Sequence, residues 1–403
     1  MRIILNDLML AFSTALDYVE ISLIGATNGH SRRVAALSCK LAESFGISDE
    51  QRFYLTVAAA LHDNALTEFI CEELRPAITE DGQIDAYVER NLGRHCVMGE
   101  RNVSGLSFYS EIKDAILYHH ERADGNGPFG KKPEEIPTFA RIIHFADIMD
   151  VSYQFGDMNQ EKYEKINRFL DERGRKVFDD EMIAAFRRIS YDDLAACKWN
   201  DMLGTIPLIK KDYSSKEIEG MAQFFAKIID YKSPFTCSHS MGIAEKARKI
   251  SQFYGWDEAA QDEMYLAGAL HDVGKLMVDN AILHKPGKLT DEEYEDIQDH
   301  AMGTYRILSG ISGFDEITSI ASLHHEKLDG SGYPFHKKAE ELGFKERVMM
   351  VLDIYQALTE PRPYKEGMSH EKSMSIIYGM VEQGKLDGQA AEDVDQCFGV
   401  SGE

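Results

Sequence analysis

One spacing of histidines and aspartates occurs twice in this chain, and that repetition restricts its architecture more than any other feature. His30 is followed by the doublet His62-Asp63, then His95, the doublet His119-His120 and Asp147; His239 is followed by His271-Asp272, His300, His324-His325 and Asp353. The first interval is 32 residues in both copies, and the step from His95 to His119 or from His300 to His324 is 24. The last step, from the second histidine of the pair to the aspartate, is 27 in one copy and 28 in the other. Intervals matched over such a length imply a duplicated unit, with the join in the polar stretch between about Asp150 and Ser215. A chain of 403 residues gives each copy enough length for its own core, and the division expected is 1–205 and 206–403.

Both copies read as helical. Val34, Leu37, Leu41 and Phe45 recur at three- and four-residue steps after His30, as do Ile243, Ala247 and Ile250 after His239, whereas alternating strand patterns are scarce. Ser214 or Ser215 and Thr290 are candidate helix caps, each followed by acidic residues that complement the helix dipole. Asp124-Gly125, Asn126-Gly127, Pro286-Gly287 and Asp329-Gly330 mark turns. The fold class expected is mainly α, as two tandem helical bundles.

Lys and Arg total 44 against 68 Asp and Glu, a formal net charge of −24. That balance argues against a nucleic-acid polymer or an anionic membrane as partner. An anionic substrate would have to be gripped locally, by metal ions and a few cations. The first 25 residues are interrupted by Asn6, Asp7, Asp17 and Glu20, so they lack the apolar run of a signal peptide or membrane span. The six cysteines are scattered without a C-x-x-C pair, which predicts reduced thiols and a cytoplasmic protein. A homodimer is among the assemblies such a sequence allows.

Imidazole nitrogen and carboxylate oxygen suit divalent iron, manganese, nickel or zinc. Neighbouring positions of a regular helix point about 100° apart, so His271-Asp272 and His324-His325 can both face one centre only from helix ends or distorted turns. A single histidine would more often be an ordinary buried or surface residue; seven ligand-type residues repeated at matched spacing are not.

The string LHDVGK at 270–275, followed by HHEKLDGSGYP at 324–334, resembles the defining motifs of the HD-GYP phosphodiesterases. The likeness extends through His239, DHAMG around His300 and VLDIYQALTEPRPYK at 351–365, which is most of the second half. It implies an HD-GYP catalytic domain that hydrolyses a cyclic dinucleotide, either cyclic diguanylate or 3′,3′-cyclic GMP-AMP, to the linear form with two divalent transition metals, iron or manganese first and nickel or zinc as alternatives. His239, His271, Asp272 and Asp353 would hold one metal, and Asp272, His300, His324 and His325 the other. Family members with a third metal use a glutamate one turn before the first histidine, where this chain has Phe235. Lys275 would contact the scissile phosphate, Arg362 and Lys365 the phosphate and base, and Gly332 and Tyr333 the loop at the mouth of the site, with Gly330 and Gly332 expected to adopt backbone conformations closed to other residues. The paired metals would supply a water nucleophile and balance the added negative charge. Gln356 departs from an aspartate common in the family, which puts one outer contact of the metal site in question.

The first half resembles a degenerate copy. His30, His62, Asp63, His95, His119, His120 and Asp147 are in place as a second metal site, but Leu66 replaces the lysine, HHERADGNGPFG lacks the terminal Tyr-Pro, and no RPYK segment follows Asp147. Two other functions compete with the leading one: an HD-superfamily phosphohydrolase acting on another nucleotide, and a catalytically weak cyclic-dinucleotide receptor.

Overall fold

Helices begin where the sequence supplies caps. Thr290 accepts from the amide of Glu293 at 3.2 Å while the Glu293 carboxylate accepts from the Thr290 amide at 2.7 Å, and Ser48 with Gln51 repeats the arrangement. Of the two serines proposed at the next start, Ser214 is the cap: its hydroxyl accepts from Glu217, whose carboxylate accepts from the Ser214 amide at 3.0 Å. The computed structural model describes residues 2–24, 29–74, 84–195, 209–232, 239–283, 285, 287–361 and 366–399. Among these, helices dominate, with a single two-stranded antiparallel ribbon, Arg2–Ile4 against Lys210–Asp212.

That ribbon moves the domain division expected from the sequence. One unit comprises Met1–Asp7 with Lys210–Glu403 and the other Leu8–Ile209, because the first strand pairs with the segment just after the join.

In the C-terminal unit, helix His239–Phe253 packs against Glu258–Leu270 and against Phe344–Thr359. Helix Glu258–Leu270 in turn touches Ser215–Lys232 and Asp315–Ser322. Ile243, Ala247, Ile250, Tyr265, Leu270 and Leu352 are fully buried between them, and each large aliphatic side chain so buried contributes about 1.5–3 kcal/mol. In the N-terminal unit, helix His30–Ala42 packs in the same way against Asp49–Ala60 and Thr138–Tyr153, around Val34, Leu37, Leu41 and Phe53. Phe45 leaves the predicted stripe. The helix ends at Ala42, a short 3-10 turn follows, and Gly46 reverses the chain at φ 63°, so the ring is only half-buried.

Candidate metal centre

The C-terminal ligand-type residues come from five separate places. His239 opens its helix, His271 and Asp272 stand where helix Glu258–Leu270 ends, His300 lies on Asp291–Leu308, His324 and His325 occupy the turn after Asp315–Ser322, and Asp353 lies on Phe344–Thr359. Both doublets are at helix ends, as the directions of adjacent side chains require. Gly274 allows the turn after Asp272 to lie against the His300 helix: a Cβ there would come within 1.9 Å of the His300 carbonyl oxygen.

The two aspartates organise the cluster. Asp272 Oδ2 is 3.2 Å from His271 Nε2, and its Oδ1 is 3.4 Å from His300 Nε2 and 4.0 Å from His324 Nε2. Asp353 Oδ1 is 3.5 Å from His239 Nε2 and 3.9 Å from His271 Nε2, and its Oδ2 is 3.6 Å from His325 Nδ1. Carbonyl oxygens fix the ring tautomers: His271, His300 and His324 each donate Nδ1–H, to Gly268, Ile297 and Ala321. Their Nε2 lone pairs therefore face the centre. His271 Nε2 and Asp272 Oδ1 are buried without a hydrogen-bond partner. Such orphaned groups cost about 1–3 kcal/mol each, so the arrangement is suited to cations.

Electrostatics at His300, His324 and Asp272 agree with that suitability. Burial drives His300 down to about 3, and burial together with neighbouring imidazoles holds His324 well below its ordinary value, leaving both rings neutral and able to ligate. Asp272 is buried, which alone would raise it, yet His271 and Lys275 hold its carboxyl well below the usual range. Burial lowers His239, but Asp353 and Glu360 outweigh it and bring the ring to about 9.

Lys275 Nζ is 2.5 Å from Asp272 Oδ2, and the Tyr333 ring packs 4.8 Å from that of His325. The loop carrying Tyr333 is held by buried Glu326, whose carboxylate accepts from the amides of Phe335 at 2.7 Å and Lys337 at 3.0 Å. Gly330 takes φ +81°, as expected, but Gly332 does not require a left-handed backbone. It is needed for proximity, since a Cβ there would lie 2.4 Å from Glu326 Cα. Arg362, Lys365 and Phe235 lie outside the described residues.

The contact questioned by Gln356 is supplied from another position. Gln356 accepts from Lys246 Nζ at 2.6 Å, while Glu360, one turn further on, accepts from His239 Nδ1 at 2.9 Å. The N-terminal unit uses the other solution: Asp150, three residues after Asp147, is 2.8 Å from His30 Nδ1 and is itself clasped by Arg33 at 2.7 and 2.9 Å.

Otherwise the N-terminal cluster follows the same plan. Asp63 Oδ1 is 3.5 Å from His95 Nε2 and 3.7 Å from His119 Nε2, and Asp63 Oδ2 is 3.5 Å from His62 Nε2. Asp147 faces His30 at 3.4 Å, His62 at 3.9 Å and His120 at 3.8 Å. Leu66 is buried at the lysine position, yet cationic residues are present nearby: a cleft of about 980 Å³ opens beside His120 and is lined in part by Arg94, Arg101 and Arg122. Each is ion-paired, to Glu73, Glu68 and Asp124 respectively. Cys96 adds a donor group with no counterpart in the other half. Burial pushes its thiol up, but His119 and His95 bring it down to about 6.

The sequence matches the HD domain over residues 21–169 and again over 223–390. The chain belongs to the HD domain family. Relatives of this HD domain protein include "3'3'-cGAMP-specific phosphodiesterase 1" of Vibrio cholerae, 27% identical over 96% of this chain and 90% of that protein. "3'3'-cGAMP-specific phosphodiesterase 3" of the same organism is 31% identical over 72% of this chain and 64% of its own length. A cyclic di-GMP phosphodiesterase of Thermotoga maritima is 33% identical over 39% of this chain and 43% of its own length. The crystal structure of the V. cholerae cyclic GMP-AMP phosphodiesterase V-cGAP3 shares the fold, with a TM-score of 0.66 over 99% of both chains at 24% identity. Among the described residues, no helix is long and apolar enough to cross a membrane.

Three residues of these sites escaped sequence reasoning. Glu326 was in plain view inside the HHE string, whereas Glu360 and Cys96 carry no local pattern and are identified only by what they face.

Proposed function

We infer that this HD domain protein is a metal-dependent phosphodiesterase that adds water across a phosphodiester bond of a cyclic dinucleotide, giving the linear dinucleotide. The observation that carries the inference is the buried C-terminal cluster, in which neutral Nε2 lone pairs and two carboxylates converge beside the Lys275 ammonium. We propose His239, His271, Asp272 and Asp353 for one divalent ion and Asp272, His300, His324 and His325 for a second, with iron or manganese as the metals. Bound there, such ions would supply Lewis acidity and an activated water.

The protein's own groups have distinct tasks. The carbonyl-anchored rings hold their Nε2 atoms in place, and Glu360 orients His239 through Nδ1. Lys275 places a positive charge beside Asp272, where it can balance the charge that grows on the phosphoryl oxygens. Tyr333, set against His325 by the loop that Glu326 braces, forms part of the rim and limits where a ligand can sit. Arg362 and Lys365 are proposed to grip the far phosphate and a base.

Of the two candidate messengers, 3′,3′-cyclic GMP-AMP comes first. Two relatives named for it align over 96% and 72% of this chain, whereas the relative from T. maritima named for cyclic diguanylate aligns over 39% of it. The test is hydrolysis of both compounds side by side by manganese- or iron-loaded protein, with Asp272→Ala as control. Linear product that disappears in the variant is expected; bound metal without turnover of either compound would refute the enzyme reading.

A further inference from the structure

The N-terminal cluster differs from its C-terminal twin at one donor. Cys96 follows His95 on helix Ile84–Val103, and the corresponding residue after His300 is Ala301. Both side chains are fully buried. Since a methyl group fills this place in one unit, packing alone does not call for a thiol in the other.

We propose that the N-terminal unit carries a thiolate-bearing metal centre, with Cys96, His95, His119 and His120 as donors, which selects zinc or a similarly thiophilic ion while the C-terminal unit keeps a nitrogen and oxygen site. The donor atoms of these four residues all lie within 4.8 Å of one another. Cys96 Sγ is 3.8 Å from His95 Nε2, and His95 Nε2 is 3.3 Å from His119 Nε2. Tetrahedral zinc, with Zn–S of about 2.3 Å and Zn–N of about 2.0–2.1 Å, sets sulfur and nitrogen about 3.6 Å apart and two nitrogens about 3.3 Å apart. The cluster is thus close to those edges already.

The neighbouring groups also call for a cation. His119 donates Nδ1–H to the Ile116 carbonyl at 2.6 Å, which turns its Nε2 towards Asp63 and His95. Asp63 Oδ1 faces His95 and His119, and neither it nor the fully buried His62 Nε2 has a hydrogen-bond partner. The competing role for Cys96, a buried core thiol, accounts for its 3.4 Å contact with the Leu92 carbonyl but not for these unmatched lone pairs. Thiolate is the ligand type that separates zinc from iron and manganese when imidazole and carboxylate do not.

The inference rests on the histidine clusters being metal sites, and the test separates the two ideas. The full-length protein is stripped with chelator, reloaded with cobalt(II), assayed for metal content and examined by absorption, beside Cys96→Ala and Cys96→Ser. A thiolate-to-cobalt charge-transfer band in the parent that vanishes in both variants is expected, with zinc affinity at the N-terminal centre falling at least about tenfold, the lower limit for loss of even an outer contact. Bound cobalt without that band, or a band that persists in both variants, overturns the role of Cys96 and leaves the metal sites standing. No cobalt uptake at all overturns both. Far-ultraviolet circular dichroism and two substitutions of different polarity guard against a folding artefact.

Discussion

Replacing Glu360 by glutamine tests whether the chain has relocated an essential carboxylate. The side chain is buried and accepts from His239 Nδ1 at 2.9 Å; glutamine keeps the size and removes the charge. Outer partners of a ligating histidine are worth about 10–100-fold in metal affinity, or about 1.4–2.7 kcal/mol. Calorimetric titration of chelator-treated Glu360→Gln with manganese should show a loss in that range at the C-terminal centre, while the His30 centre, oriented by Asp150, is unaffected. A second substitution sharpens the case. Gln356 occupies the position equivalent to Asp150, three residues after the metal-facing aspartate, so Gln356→Asp in the Glu360→Gln background should return much of the lost affinity. Unchanged manganese affinity in Glu360→Gln, or a double variant no better than the single one, would refute the exchange of roles.

Lys275→Met should lower kcat by about 10²–10³-fold, the usual effect of losing one preorganised group that balances transition-state charge, with manganese affinity largely retained; a parallel loss of metal would make Lys275 a structural support of Asp272. Asp150 sets a pH dependence in the N-terminal unit. Burial raises its carboxyl, but His30 and Arg33 outweigh burial and hold it below its ordinary 3.8, so its stabilising contribution is present above that value and disappears as pH falls through the lower folded one. Hydrogen exchange in helix His30–Ala42 should accordingly be faster in Asp150→Asn than in the parent at about pH 7, and the difference should shrink as pH falls below 3.8; a difference that stays constant across that range would contradict the assignment.

Much of this was legible in the sequence because the repeat carries its own geometry. Two residues side by side in each doublet, at 62–63 and 271–272, had to stand at helix ends to face one point, and they do. Caps at Thr290 and Ser214 could be read because a capping box is local. Glu360 could not, because its role depends on the turn that places it over His239, and Gln356 invited the opposite conclusion. For Gly332 the sequence suggests a left-handed backbone, while the requirement comes from Glu326, six residues away, pressing against its α-carbon. Cys96 carries no signal in the spacing of the cysteines, because its company is histidine.

The pairing of Arg2–Ile4 with Lys210–Asp212 also governs the order in which a growing chain can be completed. The first strand is made before Leu8–Ile209, and its partner follows about 200 residues later. At about 5–20 residues per second that is a wait on the order of 10–40 s. The whole of Leu8–Ile209 is polymerised in the interval and can fold around its own histidines first. The unit that holds Lys275 is a host interrupted by its own duplicate, and its first strand is made before that insert and can pair only after it.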